Sequence, residues 1–502
     1  MAMQWAYRQL LALLGVLGMM ISTPSFAGSI ITYVDNTVGS DRYDGSCATP
    51  ARNKRSGPVA TIGQALKLVP VSGCISIANT GVDYRESVLV KGLCKGRAAA
   101  PLVIDGHGAT VTGLLPVTAD RWKPLKDDVY FFDNQIGQDP PTYGLMPNSN
   151  WMTASGGGWF MEPQAPLIFF LDGIAAPHVR TLATLPQGGF FYDIRSRPRR
   201  ICFRLPAGKT LADCRIELPL NQGVFVADDD YVVVRNLASK YSQDDGFAGF
   251  WGIGVVFENC NGSYNCDQGI SLHGTSVTVI DGGLYERNGG CGIADVMTSF
   301  TVYRNVTIRD NKINGALFQG IAHSLLNCRV SGNESPQVKV ENDSALVMEN
   351  CLLDGGNGGT GIELERGKLN HCTIVNCAKG IVVLKTAVIN NSVIANCTEA
   401  LVEIRPGALN ATQLKQTLLW DGALVCGTER ITFEGWEAFV KTAKWVDGAL
   451  WANPQIEAPL YGLTQKSPYF TWGQYARTPG AVLPPWTGWP REVTAIYRRP
   501  PP

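Results

Sequence analysis

Eight residues between 236 and 391 recur at one position of a short repeat: Asn236, Asn259, Gly282, Asn305, Asn327, Asn350, His371 and Asn391. Their separations are 23, 23, 23, 22, 23, 21 and 20 residues, and a period of this kind decides a fold before any single residue does. Each unit holds a short β-branched stretch, as in VVVRN, VVFEN, TVYRN and AVINN, then a polar Gly/Asn turn and a second stretch such as GISLH, GIADV or GIVVL. No unit carries an amphipathic run of helix length. Units built only of short strands and turns bury their apolar face by stacking on one another. The expected fold is all-β, a single-stranded parallel β-helix with asparagines laddered along one turn. A leucine-rich repeat is the main rival, and its leucine consensus is absent.

The rest of the chain closes and interrupts this stack. Residues 1–27 read as a secretory signal peptide, with Arg8 at its start, an apolar run over 10–21 and Ser25-Phe26-Ala27 as the cleavage site. The apolar run is shorter than the roughly 20 residues of a membrane span, and no later segment looks able to cross one. An exported protein is expected, periplasmic or secreted. Residues 28–112 combine a short helix near 58–68 with brief β-type runs, which suits an N-terminal cap and first coils. Residues 113–225 hold Trp122, Trp151, Trp159 and the pairs Phe131-Phe132 and Phe169-Phe170, and read as an aromatic-rich β insertion. Its aromatics are mainly expected in a core, while Trp151 and Trp159, in a Gly-rich loop, are candidate substrate contacts. The main repeats run over 226–425. Beyond them, residues 431–445 suit a helix, and 426–502 read as a C-terminal cap with a Pro-rich tail that shields the last strand edge.

The 43 basic and 43 acidic residues cancel, so no charge excess favours nucleic acid or an anionic membrane surface. Fourteen cysteines in an exported chain would suggest disulfides. Here Cys260, Cys328, Cys351 and Cys372 follow the ladder residue directly and look like small apolar core positions. Cys202–Cys214, Cys260–Cys266 and two of Cys47, Cys74 and Cys94 are pairs that could bridge. No CxxC pair points to a metal.

Residues 241–274 carry the chemistry. Aligned on the ladder, Asp244 lies over Asp267 and then Gly290, while Asp245 lies over Gln268, Cys291 and Asn314. Adjacent coils sit ~4.8 Å apart, so two carboxyls at this offset approach the ~5–5.5 Å separation of a retaining glycosidase pair. Like charges packed so closely should raise one pKa, as a general acid requires. The rival reading is solvated turn acids. Alternation along 269–273 puts Ser271 and His273 outside, so His273 is a candidate for sugar binding or proton transfer, against a plain surface histidine. Asp295 would neighbour His273 one coil on as a substrate contact if the strand end departs from strict alternation, which would otherwise place it inside. Arg287, Arg309 and Lys240 fall on other edges of these coils; Arg287 is a candidate contact for an anionic sugar, against a solvated charge.

The coil pattern over 226–425, and less fully over 29–112, resembles the pectin-lyase-like right-handed parallel β-helix superfamily of polysaccharide lyases, glycoside hydrolases and some epimerases. Residues 186–208 resemble a β insertion of β-helix glycosidases. Gln243-Asp244-Asp245 resembles the Gln-Asp-Asp of polygalacturonases, whose paired aspartates carry acid catalysis. Their Gly-His-Gly motif is half matched by His273-Gly274, and their Asn-Thr-Asp and Arg-Ile-Lys motifs are missing, which argues against a true polygalacturonase. The resemblance implies a monomeric glycoside hydrolase that cleaves a polysaccharide without a cofactor. Asp244 or Asp245 and Asp267 would act as acid and nucleophile or base, with His273 positioning the sugar. The alternative is a calcium-dependent lyase in which the same acids hold Ca²⁺ as hard oxygen ligands. A second alternative is a non-catalytic carbohydrate-binding or adhesive surface protein, since one fold hosts all three.

Overall fold

The structure, a computed structural model, describes residues 30–133, 168–193, 196, 200–334, 336–356, 358–457 and 462–463, apart from residue 54. The expected signal peptide, Trp151, Trp159 and most of the Pro-rich tail lie outside the described residues.

Every coil has three strands, and each pairs in parallel with its counterpart one coil away. The first strands bring Ile104, Val234, Phe257, Ile280, Tyr303 and Leu325 into one inward ladder. The third strands do the same with Val88, Val224, Phe247, Ile270, Ile293 and Ala316. All twelve are buried, and burying an aliphatic or aromatic side chain of this size contributes roughly 1.5–3 kcal/mol. The long contiguous core along the axis is therefore the main stabilising term.

The recurring position marks the turn from first to second strand. There the backbone is left-handed in every coil: φ is 51° at Asn236, 49° at Asn259, 71° at Gly282, 58° at Asn305 and 54° at Asn327. Glycine and asparagine are the residues that visit this region at least expense. The amides also link coils, as where Asn350 Nδ2 donates to Asn327 Oδ1 at 2.8 Å.

A second asparagine ladder, not singled out in the sequence, runs inside the turn from second to third strand. Asn265, Asn288, Asn311 and Asn333 are buried there. From Asn288 on, each side-chain carbonyl accepts both the backbone N–H and the Nδ2 of the asparagine one coil before, at 3.0 and 3.0 Å for Asn265 on Asn288 and 3.0 and 2.9 Å for Asn288 on Asn311. Their period is that of the outer ladder. Asn288→Ala strands two buried donors of Asn265, and an unmet buried polar group costs about 1–3 kcal/mol. A loss of about 2–4 kcal/mol in urea denaturation is expected, against no more than a few tenths for Asn→Ala on an exposed loop.

The insertion leaves the helix at a defined place. It starts after Thr110–Thr112, the second strand of its coil, and the helix resumes with the third strand Val224–Ala227. It thus occupies the second-to-third-strand turn, one coil before Asp244. Leu114–Pro116, Phe170–Leu171, Ile174–Ala175 and Ile216–Pro219 form a four-stranded antiparallel sheet. Lys123–Lys126, Val129–Asp133, His178–Val179, Phe190–Asp193 and Arg200–Arg204 form a five-stranded one. Trp122, Phe132, Phe169, Phe190 and Phe203 fill their common core, with Phe169 stacked on Phe203 at 5.0 Å.

At the other end, the helix Phe433–Thr442 lays Trp436 against Trp451 at 5.4 Å over the last coils. All fourteen cysteines are free thiols, so none of the bridges suggested by spacing is formed. The Cys260 thiol is buried and donates to Val234 O at 3.4 Å, which removes it from any pairing with Cys266. Among the described residues no helix is long and apolar enough to cross a membrane.

Candidate active site

The turn from second to third strand begins with a left-handed residue: Tyr241, Tyr264, Arg287 or Asp310 in successive coils. The buried ladder follows at once, with the Ser242 N–H donating to Asn265 Oδ1 at 3.0 Å. Two residues further on come Asp244, Asp267 and Gly290. Their backbones are stitched together, Asp267 N–H to Asp244 O at 3.3 Å and Gly290 N–H to Asp267 O at 2.8 Å. The ladder register expected for Asp245 also holds, since its Oδ1 accepts the Gln268 N–H at 3.0 Å. One carboxylate oxygen from each of Asp244, Asp245 and Asp267 lies within 4.8 Å of the others. A Cβ at residue 290 would sit 2.3 Å from Asp267 Oδ1 and 2.6 Å from Gln268 Oε1. Glycine there leaves the Asp267 carboxyl its room.

Three carboxyls this close cannot all ionise freely. Asp244 and Asp267 keep some open surface while protein hems in their carboxyls on the other sides, and Asp245 is buried. Burial pushes Asp244 up to about 6 from its ordinary 3.8. Burial and the neighbouring Asp244 hold Asp267 well above that range. Burial, then the charges of Asp244 and Asp267, do the same for Asp245, with the Gln268 N–H opposing. Among the described residues no Lys, Arg or His is ion-paired with any of the three. The trio titrates as one group, with the ionised form of each carboxyl opposed by burial and, for Asp245 and Asp267, by the charge of a neighbour. It offers an acid and a base side by side, or three hard oxygen ligands for a cation.

His273 is a correction. It lies on the outward side of the third strands, paired with Phe250, as alternation requires, but it is covered rather than solvated. Its ring stacks on Phe250 at 4.6 Å, and Nε2 lies 2.8 Å from Ser271 Oγ. That hydroxyl donates to Ala294 O at 3.1 Å, so we assign the ring proton to Nε2 from the network. Burial pushes the imidazole down to about 4, which keeps it neutral. It sits six residues beyond Asp267, up to ~20 Å along an extended strand, and does not join the acids.

Asp295 is a second correction. Strict alternation holds and Asp295 faces the core, fully buried. It accepts hydrogen bonds from Thr301 Oγ1 at 2.5 Å and Tyr303 OH at 2.8 Å, and lies 3.3 Å from Nδ1 of the buried His323. It touches no surface a substrate reaches.

Arg287 does not fall on another edge; it opens the same turn one coil after the acids. Its guanidinium lies 5.6 Å over the Tyr264 ring and hydrogen-bonds the Tyr264 hydroxyl. Tyr264 in turn lies 5.5 Å from Tyr241, which meets Phe170 of the insertion at 5.2 Å. Arg309 is tied to Glu286 at 2.7 Å. The tyrosines were not foreseen, although both stand directly after a strand at the 23-residue period, like Arg287.

Residues 203–324 and 249–398 match the right-handed beta helix region family. No curated protein matches the chain. Among solved structures it is similar to XylC in complex with xylose, at 11% identity and TM-score 0.47 over 78% of this chain and 69% of that one. It is similar to a glycoside hydrolase at 10% and 0.46, over 87% and 99%, and to the pectate lyase Pel9A at 12% and 0.42, over 91% and 89%. Likenesses this distant say nothing about activity. The chain has a right-handed parallel β-helix fold.

Proposed function

We propose that this protein is an exported glycoside hydrolase that cleaves a polysaccharide at Asp244, Asp245 and Asp267. The observation that carries the reading is the contact of three unpaired carboxyls from two successive coils, with their ionisation pushed upward. A glycosidase needs one carboxyl protonated and one ionised on either side of the bond. Asp244 is the nucleophile or base. Asp267, whose ionisation is opposed by burial and by Asp244, is the general acid toward the leaving oxygen. Separations within 4.8 Å are nearer to a retaining pair at ~5–5.5 Å than to an inverting one at ~6.5–9.5 Å. Asp245 keeps the proton balance and, through the Gln268 N–H, fixes the next coil's turn.

A second reading is favoured by the same cluster. Three carboxylates could hold Ca²⁺, which would supply charge to neutralise a uronate; its binding would require all three ionised. Lys240, one residue before the turn and shifted downward by burial, is then the residue to test as base. The experiment is a polysaccharide panel with and without chelator, recording both reducing ends and the absorbance of unsaturated uronates. Reducing ends without unsaturated product, unchanged by chelator, are expected. Chelator-sensitive unsaturated product would instead establish the lyase, and silence on every substrate would favour a binding scaffold.

A further inference from the structure

The turn that follows the third strand carries an exposed tryptophan with no role in the core. Trp251 is 46% exposed, and its backbone is left-handed at φ 56°. Both features are unfavourable for a large aromatic, since left-handed φ at a bulky residue is strained and exposed indole surface loses its burial energy. Glycine or asparagine would be cheaper at that position, as it is at the outer ladder.

What the strained turn achieves is a particular placement of the ring. Residues 251, 274 and 297 are equivalent in successive coils, and all three are left-handed: Trp251, Gly274 at φ 67° and Met297 at φ 64°. The indole lies flat against Gly274, where a Cβ would come within 2.3 Å of Nε1 and 2.4 Å of Cδ1. Any other residue at 274 would lift the ring off. Beneath, Phe250 lies 5.7 Å from Trp251 and is itself stacked on His273. Beside it Met297 is 54% exposed and Ile253 49%. The result is an apolar ledge across three coils, held from below and open above.

The ledge and the acids bound the same strand. Asp244 and Asp245 precede Phe247–Phe250 and Trp251 follows it, so the two lie at opposite edges of one face. Between them the outward row reads Ala248, Ser271, Ala294 and Leu317, small or apolar groups that are themselves buried, so the two ends are what a ligand meets. Asp245 and Trp251 are six residues apart, up to ~20 Å along an extended strand, the reach of an oligosaccharide rather than of one sugar.

We propose that Trp251 is a stacking platform for a pyranose ring, binding a polymeric glycan at a subsite remote from the cleaved bond. The inference rests on the carbohydrate reading above and adds to it the extent of the chain that is bound. An aromatic face meets the apolar C–H face of a sugar ring, and its affinity comes from that desolvated contact.

The test uses the full chain carrying Asp267→Asn, to hold substrate uncut, with Trp251→Gly and Trp251→Phe added separately. Glycine accepts φ 56°, so this variant keeps the turn, and unchanged thermal unfolding checks that it does. Affinity electrophoresis in a gel containing the polysaccharide cleaved by wild type is expected to show binding weakened about tenfold or more by Trp251→Gly, and largely kept by Trp251→Phe. In the active protein, Trp251→Gly should raise KM on the polymer and leave the shortest cleavable oligosaccharide unaffected. Cleavage by wild type with undiminished binding by Trp251→Gly overturns the platform alone. Binding of no glycan by wild type overturns both the platform and the reading on which it rests.

Discussion

Asp267→Asn is expected to reduce hydrolysis by about 10²–10⁴-fold, the usual worth of a positioned general acid, and at the same time to make the protein more stable at pH 7. The two effects have one cause. Asp267 is held in a crowd of carboxyls, where its ionisation is opposed by burial and by Asp244. In the folded state Asp244 titrates at about 6 against an ordinary 3.8. Between those values the folded chain holds a proton that the unfolded chain has lost, so stability falls as pH rises through that window. Asp267 is shifted in the same direction, so its ionisation also costs folding stability as pH rises above its ordinary value. The amide keeps the shape and does not ionise, so the gain is present at pH 7. It disappears as pH falls below 3.8, where both states are protonated. Thermal unfolding at pH 7 and pH 4, paired with activity, checks this. A variant that loses activity and stability together would make Asp267 a structural residue instead.

Asp295→Ala is expected to do the opposite, costing about 3–5 kcal/mol because it leaves the buried hydroxyls of Thr301 and Tyr303 without an acceptor, at about 1–3 kcal/mol each. Thr301, Tyr303 and His323 all turn toward that carboxylate, and His323 is wedged against Phe318 at 4.6 Å. Replacing the two together, Asp295→Leu with His323→Phe, should cost less, because exchanging both partners of a buried polar contact for apolar groups of similar shape leaves fewer groups unsatisfied. Urea denaturation measures both. Loss of activity with unchanged stability in Asp295→Ala would return Asp295 to the substrate surface.

The coil fold is legible in the sequence because its turns demand a backbone conformation few residues accept. Asn236, Asn259 and Asn305 mark the outer turn by their identity as much as by their spacing, and the period then stacks Asp244 on Asp267. The inner ladder has the same period but is harder to read, since a turn asparagine in sequence looks solvated. Only the neighbouring coils reveal that Asn265 and Asn288 are enclosed. Alternation gives the direction of His273 correctly and cannot say that Phe250, 23 residues earlier, covers it. It also points Asp295 inward; the surprise is a partner, His323, that lies one coil further on. Arg287 is misplaced by aligning on the outer turn alone, whereas its equivalence to Tyr264 sets it beside the acids. Nothing local says that the insertion springs from the equivalent turn one coil before the acids, because that depends on which strands pair across more than a hundred residues of chain.

The central claim is that the acid cluster adds water across a glycosidic bond. Digestion in water enriched in oxygen-18, with mass analysis of the new ends, tests it most directly. Hydrolysis predicts one heavy oxygen at each new reducing end, absent from the Asp267→Asn reaction. New ends that carry no heavy oxygen and an unsaturated sugar instead would contradict it, and would make the three carboxylates part of an elimination site.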